Sequence, residues 1–162
     1  MSDTLIKNGR IVTATDDYEA DIIVRKGRVH TIGKELDAGA DMAVHDAKGL
    51  LVLPGGVDVH THLEFNFGDF ETVDDFETGT KSAAFGGTTT LVDFCNQGNN
   101  TPLAALEEWH GRAANACVDV SAHVILSKVD KEALRQMRTL IHDEGISSFK
   151  LFTAYPGVFM VD

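Results

Sequence analysis

Two histidines, His60 and His62, are separated by a single residue, a side-chain type and a spacing that suit metal binding. Side chains two positions apart along a strand share a face, so both imidazoles would point to one side, with Asp58 beneath them. Two imidazoles on one side of a strand can bind one metal ion. A His-x-His pair also occurs by chance, and a histidine in a core is often satisfied by a hydrogen bond. The position of this pair, at the end of an apolar strand that follows Pro54 and two glycines, favours a metal site.

A lysine near the end of the chain, Lys150, alternates with the apolar residues Phe149 and Leu151. If those two pack on helices, Lys150 shares the opposite face with Ser148. Burial disfavours the charged form of an amine, and a neutral amine can add carbon dioxide to give a carbamate. A carbamate has two oxygens and a negative charge and can hold two cations, whereas a protonated lysine can only donate. An ordinary lysine paired with a carboxylate at the rim of a barrel is the simpler interpretation, and both stay open from the residues alone.

Short strands and tight turns are predicted for the first fifty residues. Asn8-Gly9 predicts one hairpin turn and Lys26-Gly27 predicts a second. The acidic stretch at 16–21 is interpreted as a solvated connection. The cluster Pro54-Gly55-Gly56 interrupts regular secondary structure and predicts a domain boundary. We therefore expect a small β-domain at 1–53 and a second domain at 54–162.

Strands and helices alternate in the second domain. Strands are predicted at 57–62, 88–94, 118–126 and 146–152, with helices at 73–85, 102–116 and 130–143. Strands that recur at the length of a βαβ unit, about thirty residues, predict an α/β fold with a parallel sheet. In such sheets chemistry gathers at the carboxyl ends of the strands. Those ends carry the two histidines of the first strand and, at the fourth, Lys150 with the loop through Tyr155.

Composition excludes several classes of partner. The 162 residues carry 25 acidic and 14 basic side chains, a net charge of −11, with no cluster of Lys and Arg. This charge balance argues against binding to nucleic acid and against binding to an anionic membrane surface. No apolar run reaches the roughly 18 residues of a membrane span, and the N-terminus has no signal-peptide pattern. These two observations predict a cytoplasmic location. The two cysteines, which lack a CxxC spacing, suggest no disulfide framework.

Four segments of the sequence carry a family resemblance. They read GGVDVHTH at 55–62, DDFETGT at 74–80, AFGGTTT with VDFC at 84–95, and FKLF with AYPG at 149–157. Together, and in this order, they resemble the D-hydantoinase and dihydropyrimidinase family of cyclic-amide hydrolases, in the amidohydrolase superfamily. The resemblance covers essentially the whole chain. It implies the first half of a (β/α)8 TIM-type barrel preceded by a small β-sandwich-like domain.

The resemblance also implies roles for individual residues. It implies two divalent metal ions, usually zinc, with His60 and His62 on one of them and a carboxylated Lys150 as the bridge between both. Tyr155 matches the family tyrosine whose hydroxyl donates to the oxyanion of the substrate. Four apolar residues match loop positions that shape the pocket for the exocyclic substituent of the substrate: Leu63, Phe65, Phe152 and Phe159. Without the resemblance, Tyr155 would be an ordinary loop residue and the four apolar residues ordinary core.

The implied reaction is the hydrolytic opening of a ring that contains a –CO–NH–CO– imide. Small-molecule 5-substituted hydantoins and dihydropyrimidines both fit, and the product would be an N-carbamoyl amino acid. Two metal ions would lower the pKa of a bridging water and polarise the scissile carbonyl.

The sequence lacks metal ligands that the resemblance implies. Two further histidine ligands are expected after the fifth and sixth strands and an aspartate after the eighth, whereas the sequence runs to just past the fourth. The remaining histidines match none of those positions and are interpreted as surface, helix or strand residues: His30, His45, His110, His123 and His142. The sequence, well short of the roughly 250 residues of a whole barrel, is therefore expected to be an incomplete N-terminal portion that is inactive by itself. The resemblance implies that the full-length protein is a homo-oligomer.

Other functions stay open at this point. A non-catalytic dihydropyrimidinase-like scaffold would have lost the ligand set, but all four chemical residues (His60, His62, Lys150 and Tyr155) are present, which favours an enzyme. Allantoinase and dihydroorotase are related alternatives, although the segment at 149–157 is more similar to the hydantoinase branch. A homodimer of half-barrels is disfavoured, because it would duplicate the same ligands instead of supplying the missing ones.

Overall fold

The chain divides into two compact units, one ending at Pro54 and the other beginning at Gly55. A computed structural model describes residues 3–161. No helix in that range is long and apolar enough to cross a membrane.

The first unit is a mixed β-sheet. Its strands are β1 (Thr4–Val12), β2 (Asp17–Arg25), β3 (Arg28–Gly33), β4 (Ala43–Asp46) and β5 (Leu51–Val52). The order is β3-β2-β1-β4, with β5 also paired to β1; β1, β2 and β3 are antiparallel neighbours, while β4 and β5 run parallel to β1. The described strands of this unit form one sheet, so the predicted β-sandwich is not confirmed.

The hairpin predicted at Asn8-Gly9 is wrong. Strand β1 runs unbroken through both residues, and its pairing with β2 shifts register between Ile6 and Gly9. Asn8 has a φ of 60°, and its backbone N–H donates to Asp21 Oδ1 over 2.7 Å. A Cβ at Gly9 would lie 2.5 Å from Val52 Cγ2, so only glycine allows this close approach. The two residues therefore form a bulge within a strand, and not a turn between two strands.

The second predicted turn is confirmed. Lys26 and Gly27, with φ of 50° and 73°, join β2 to β3, as a two-residue hairpin loop requires. The predicted solvated connection at 16–21 is wrong in its second half, because β2 begins at Asp17 and Asp21 is buried. The hydrogen bond from the backbone N–H of Asn8 is the main reason that the pKa of Asp21 lies below its usual value.

The second unit alternates strands and helices around a parallel sheet. Its elements are β6 (Gly56–Thr61), β7 (Asn66–Phe67), β8 (Phe70–Glu71), α1 (Phe76–Phe85), β9 (Thr88–Asn96), α2 (Pro102–Ala113), β10 (Asp119–Ile125), α3 (Lys131–His142) and β11 (Phe149–Lys150). The parallel strands lie in the order β6-β9-β10-β11, and β7 and β8 form a separate antiparallel pair. The predicted α/β fold and the half-barrel parallel sheet are confirmed.

Capping residues set where the helices begin. The Asp75 carboxylate accepts from the Thr78 N–H over 2.6 Å, and the Thr78 hydroxyl accepts from the Asp75 N–H over 3.2 Å. This capping box starts α1 at Phe76, whereas the sequence predicted a start at Val73. Asp130 caps α3 as predicted, because its carboxylate accepts from the Ala133 N–H over 2.8 Å.

One face of the parallel sheet packs against the three helices. We call this buried layer the helix-side core; its members are Leu63, Phe76, Leu91, Cys95, Ala105, Leu106, Trp109, Ala113, Ala122, Val124, Leu126, Leu140 and Ile146. Alternate residues of β9 and β10 belong to it, so the residues between them point to the opposite face. We call that opposite face the inward face, and it carries the candidate site.

Candidate functional site

The ring of Phe94 lies at the centre of the inward face. It alternates with Asp93 and Cys95 on β9 and points away from the helices. Its centroid lies 4.7 Å from that of His60 and 4.8 Å from that of His62, and Lys150 Nζ lies 5.2 Å from it. Among the described strands, β6 and β11 are the two edges of the sheet. His60 on β6, His62 just after it and Lys150 on β11 nevertheless lie around this one ring.

The two imidazoles lie side by side, as the strand pattern predicted. Their ring centroids are 5.4 Å apart, and the backbone N–H of His60 donates to Asp58 Oδ1 over 3.0 Å. His62 Nδ1 is buried without a hydrogen-bond partner among residues 3–161. Burial lowers the pKa of His62, the charges of His60 and Lys150 lower it further, and Asp93 opposes them. A neutral imidazole with a buried nitrogen free of protein partners is the form that a metal ion needs.

A bulge in β6 directs these histidines. Asp58 pairs with Leu91 of β9 and Thr61 pairs with Asp93, so three steps on β6 match two on β9. The extra residue lies at Val59 or His60, so the irregularity falls at the first of the two candidate ligands. Bulges of this kind turn a side chain toward a new direction and are frequent beside active sites.

A buried carboxylate holds the chain on either side of His62. Asp93 Oδ1 accepts from the Leu63 N–H over 3.0 Å and from the Thr61 hydroxyl over 3.3 Å. Asp93 Oδ2 accepts from Trp109 Nε1 over 2.9 Å. Burial raises the pKa of Asp93, and these hydrogen bonds partly oppose the rise. Asp93 therefore links the segment that carries His62 to α2.

The lysine lies on the inward face, as its alternation with Phe149 predicted. Lys150 Nζ sits over the rings of Phe94 and Phe152, 4.9 Å from the latter centroid, while Phe149 packs against the helix-side core. Leu151 is 56% exposed, so the expectation that it also packs on the helices is wrong.

The donor set fits a metal site only with the help of the lysine. Within residues 3–161, no group of three His, Cys, Asp and Glu side chains is close enough to hold a metal ion. Two imidazoles and an amine do converge, and conversion of the amine to a carbamate would replace a donor by two anionic oxygens. The residues present therefore fit the predicted group in donor type, and all three lie within 5.2 Å of the Phe94 ring centroid.

The four residues predicted to shape a substrate pocket are not all brought together. Phe65, Phe152 and Phe159 cluster with Phe94 on the inward face, and the Phe65 ring lies 4.7 Å from His62. Leu63 lies in the helix-side core instead, where it packs so closely on Gly79 that a Cβ there would collide with it.

Tyr155 lies in the loop that follows β11. Its side chain is 62% exposed, and its ring meets that of Phe152 edge-on at 5.9 Å. Its φ is 66°, and its carbonyl accepts from the backbone N–H groups of Val158, Phe159 and Met160. This turn closes the loop on itself beside the ring that contacts Lys150.

Three residues of the site were missed from the sequence: Asp93, Phe94 and His123. Phe94 and His123 occupy inward positions on β9 and β10, and strand alternation could have placed them there. Their convergence with His60, His62 and Lys150 depends on the order and register of the strands, which leave no local signal in the sequence. Asp93 had a weak signal, since a charged residue within the apolar run of β9 must find partners when buried.

Comparison with known proteins supports the family resemblance, although no family model matches the sequence. The chain is 50% identical over 161 residues to a D-hydantoinase of Geobacillus stearothermophilus, covering 98% of the chain and 34% of that protein. It is 40% identical to the dihydropyrimidinase of Rattus norvegicus, covering 97% of the chain and 31% of that protein. A solved structure of dihydropyrimidinase from Brevibacillus agri superposes with a TM-score of 0.93 at 42% identity, covering 99% of the chain and 35% of that structure.

The chain thus spans about a third of the length of the curated relatives that it matches. The likeness extends over nearly every residue of the chain, in sequence as well as in fold. The resemblance inferred from the four motif segments is confirmed: this chain corresponds to the N-terminal portion of proteins of the D-hydantoinase and dihydropyrimidinase family.

Proposed function

We propose that these 162 residues supply the N-terminal third of a metal-dependent cyclic amidase. The reaction is the ring opening of 5-substituted hydantoins or dihydropyrimidines to N-carbamoyl amino acids. The observation that carries this proposal is the meeting of His60, His62 and Lys150 around Phe94. The names of the relatives, D-hydantoinase and dihydropyrimidinase, indicate the class of substrate.

Two divalent ions, zinc by preference, are the proposed cofactors. His60 and His62 would hold one ion, and a carbamate formed from Lys150 and carbon dioxide would hold both. When bound, such a pair lowers the pKa of a shared water and polarises the carbonyl that is attacked. The lowered pKa of His62 supports this role, because the imidazole is then neutral without competition from a proton.

The loop after β11 would bind the substrate. Tyr155 is exposed at the edge of the site, and its hydroxyl would donate to the oxyanion that develops on the substrate carbonyl. Removal of such a donor typically costs about 2.7–4 kcal/mol of transition-state stabilisation. Phe65, Phe152 and Phe159 would contact the exocyclic substituent, since they form the apolar wall beside the ligands.

The remaining ligands would come from residues beyond this chain, two histidines and an aspartate at later strand ends. Further strands that carry these ligands could pair with the sheet, because within the described residues β6 and β11 each pair with a single strand. We therefore expect the 162-residue chain alone to bind metal weakly and to open no ring at a measurable rate. A homo-oligomeric full-length protein and a cytoplasmic location stay predictions.

The test uses the full-length protein, assayed for release of N-carbamoyl amino acids from 5-substituted hydantoins and dihydrouracil. We expect turnover that a chelator abolishes and zinc restores, together with a mass increase of one carbon dioxide on the peptide that contains Lys150. The variant His60→Asn should lose zinc and activity, whereas His142→Asn, at the end of α3, should keep both. Full activity after complete metal removal would contradict the proposal.

A scaffold without catalytic activity is the competing function. It predicts no turnover and no zinc uptake by the same full-length protein. Turnover by the 162-residue chain alone would contradict the proposal in a different way, because it would mean that the absent ligands are not needed.

A further inference from the structure

His123 on β10 makes hydrogen bonds to both edges of the candidate site. Its Nε2 lies 3.0 Å from the carbonyl oxygen of Val59 on β6, and its Nδ1 lies 2.5 Å from Oγ of Ser148, two residues before Lys150. β10 is not a neighbour of β6 in the sheet, because β9 lies between them. The imidazole therefore reaches across β9, with its centroid 5.1 Å from that of Phe94.

The Val59 carbonyl belongs to the bulge in β6. A bulged strand leaves backbone groups without their usual ladder partner, and here His123 supplies a partner for one of them. This carbonyl and the N–H of His60 belong to a single planar peptide group. The N–H donates to Asp58 Oδ1, so the peptide that leads into His60 is held on both sides.

The chemistry of the partners assigns the tautomer of His123. A carbonyl oxygen can only accept, so Nε2 carries the proton and donates to Val59. A ring with this single proton accepts from the hydroxyl of Ser148 through Nδ1. Both nitrogens are used by the protein, in contrast to His62, whose Nδ1 has no partner within the described residues. His123 is thus suited to hold other groups in place and has no nitrogen left for a metal ion.

We propose that His123 is a positioning residue of the metal site. By tying the bulge before His60 to the residue that precedes β11, it sets the distance between the two imidazoles and the side chain of Lys150. This inference rests on the proposed function, because it assumes that these three residues bind metal. It goes beyond it by assigning a role to a residue that touches neither metal nor substrate.

Four variants of the full-length protein test this role. His123→Gln keeps an N–H that can reach Val59, whereas His123→Asn is shorter and His123→Leu has no donor. Ser148→Ala removes only the second hydrogen bond. His142→Asn, on the exposed end of α3, is the matched control. The measurements are the dissociation constant of zinc, by competition with a chelator, and the melting temperature of the metal-free protein.

We expect the Asn and Leu variants to bind zinc about 10- to 100-fold more weakly than the wild type, as typically follows loss of a group that orients metal ligands. His123→Gln should retain most of the affinity, Ser148→Ala should lose less than the Leu variant, and His142→Asn should match the wild type. A purely structural role would lower the melting temperature without separating Gln from Asn in zinc affinity.

Equal zinc affinity in His123→Gln and His123→Asn would overturn the inference. If the His123→Leu variant does not fold, the difference in zinc affinity between His123→Gln and His123→Asn, together with Ser148→Ala, still tests the inference. The outcomes also separate the two proposals. A wild-type protein that takes up no zinc contradicts the proposed function, whereas a wild type that binds zinc no better than the His123 variants contradicts only the role of His123.

Discussion

The parallel sheet has a dry apolar layer on its helix side and a layer of imidazoles, an amine and aromatic rings on its inward side. On the helix side of β9, Leu91 and Cys95 are 3% and 0% exposed, and burial raises the pKa of Cys95 to about 12. On the inward side His60 is exposed and His62 and Lys150 are half-buried. The helix side therefore forms the larger buried core, and the inward side leaves the candidate ligands more exposed.

Asp93 is the exception that connects the two faces. It lies on the helix side and bonds to Trp109, yet its other oxygen holds the backbone around His62. The inward face has an apolar cluster of its own, formed by Phe65, Phe94 and Ile125, yet it depends on the helix side for the geometry around His62. Three substitutions separate these contributions.

The largest effect is expected from the helix-side core. Phe76 is fully buried, and its ring packs edge-on against Trp109 at 5.6 Å. Phe76→Ala should lower the free energy of unfolding by about 3–5 kcal/mol, because it leaves a cavity that the helices cannot fill. Urea-induced unfolding measures this loss.

The matched control is Phe85→Ala, in the same helix. The side chain of Phe85 is 96% exposed in the structure. Its removal should change the free energy of unfolding by no more than about 0.5 kcal/mol. Equal losses in the two variants would mean that the helix-side core does not carry the stability of this unit.

An intermediate effect is expected at the connection between the faces. In Asp93→Asn, one of the two oxygens becomes an amide nitrogen and confronts the N–H of either Leu63 or Trp109. A buried donor left without an acceptor costs about 1–3 kcal/mol, so stability should fall by that amount. Zinc affinity should fall too, because the backbone around His62 is released.

Unfolding and zinc titration of the Asp93→Asn protein measure both quantities. Asp119→Asn, at the exposed start of β10, is the control and should change neither. Loss of stability with unchanged zinc affinity would show that Asp93 serves the helix side only.

The smallest change in stability is expected from the centre of the inward face. Phe94→Leu keeps an apolar side chain of similar size and should cost about 0.5–1.5 kcal/mol in unfolding free energy. Zinc binding should weaken more than this loss implies, because His60, His62 and Lys150 all rest on the aromatic ring.

Phe70→Leu, with a side chain 77% exposed, is the control for that substitution. It should leave both zinc affinity and stability unchanged. If Phe94→Leu lowers stability but leaves zinc affinity intact, the ring is packing material and does not order the ligands.

Much of this arrangement could be predicted from the sequence because it depends on local periodicity. Alternation along a strand placed His60 beside His62 and separated Lys150 from Phe149. The turn at Lys26-Gly27 and the cap at Asp130 also follow from the residues at those positions. These predictions needed only the backbone geometry of a few neighbouring residues.

Other predictions failed because the deciding contact comes from a distant part of the chain. Asn8-Gly9 has the composition of a turn, but Asp21 and Val52 make it a bulge within a strand. Leu63 packs in the helix-side core, where Gly79 leaves space for it, and its pocket role, implied by the resemblance, stays a prediction.

The sequence by itself determined which residue types are available and, through strand alternation, on which face of the sheet they lie. Only the tertiary structure decided that β6 is bulged, that His60, His62 and Lys150 converge on Phe94, and that His123 reaches across β9. The physical reason is that register and sheet curvature arise from packing between segments far apart in the chain, whereas alternation follows from the geometry of each strand alone.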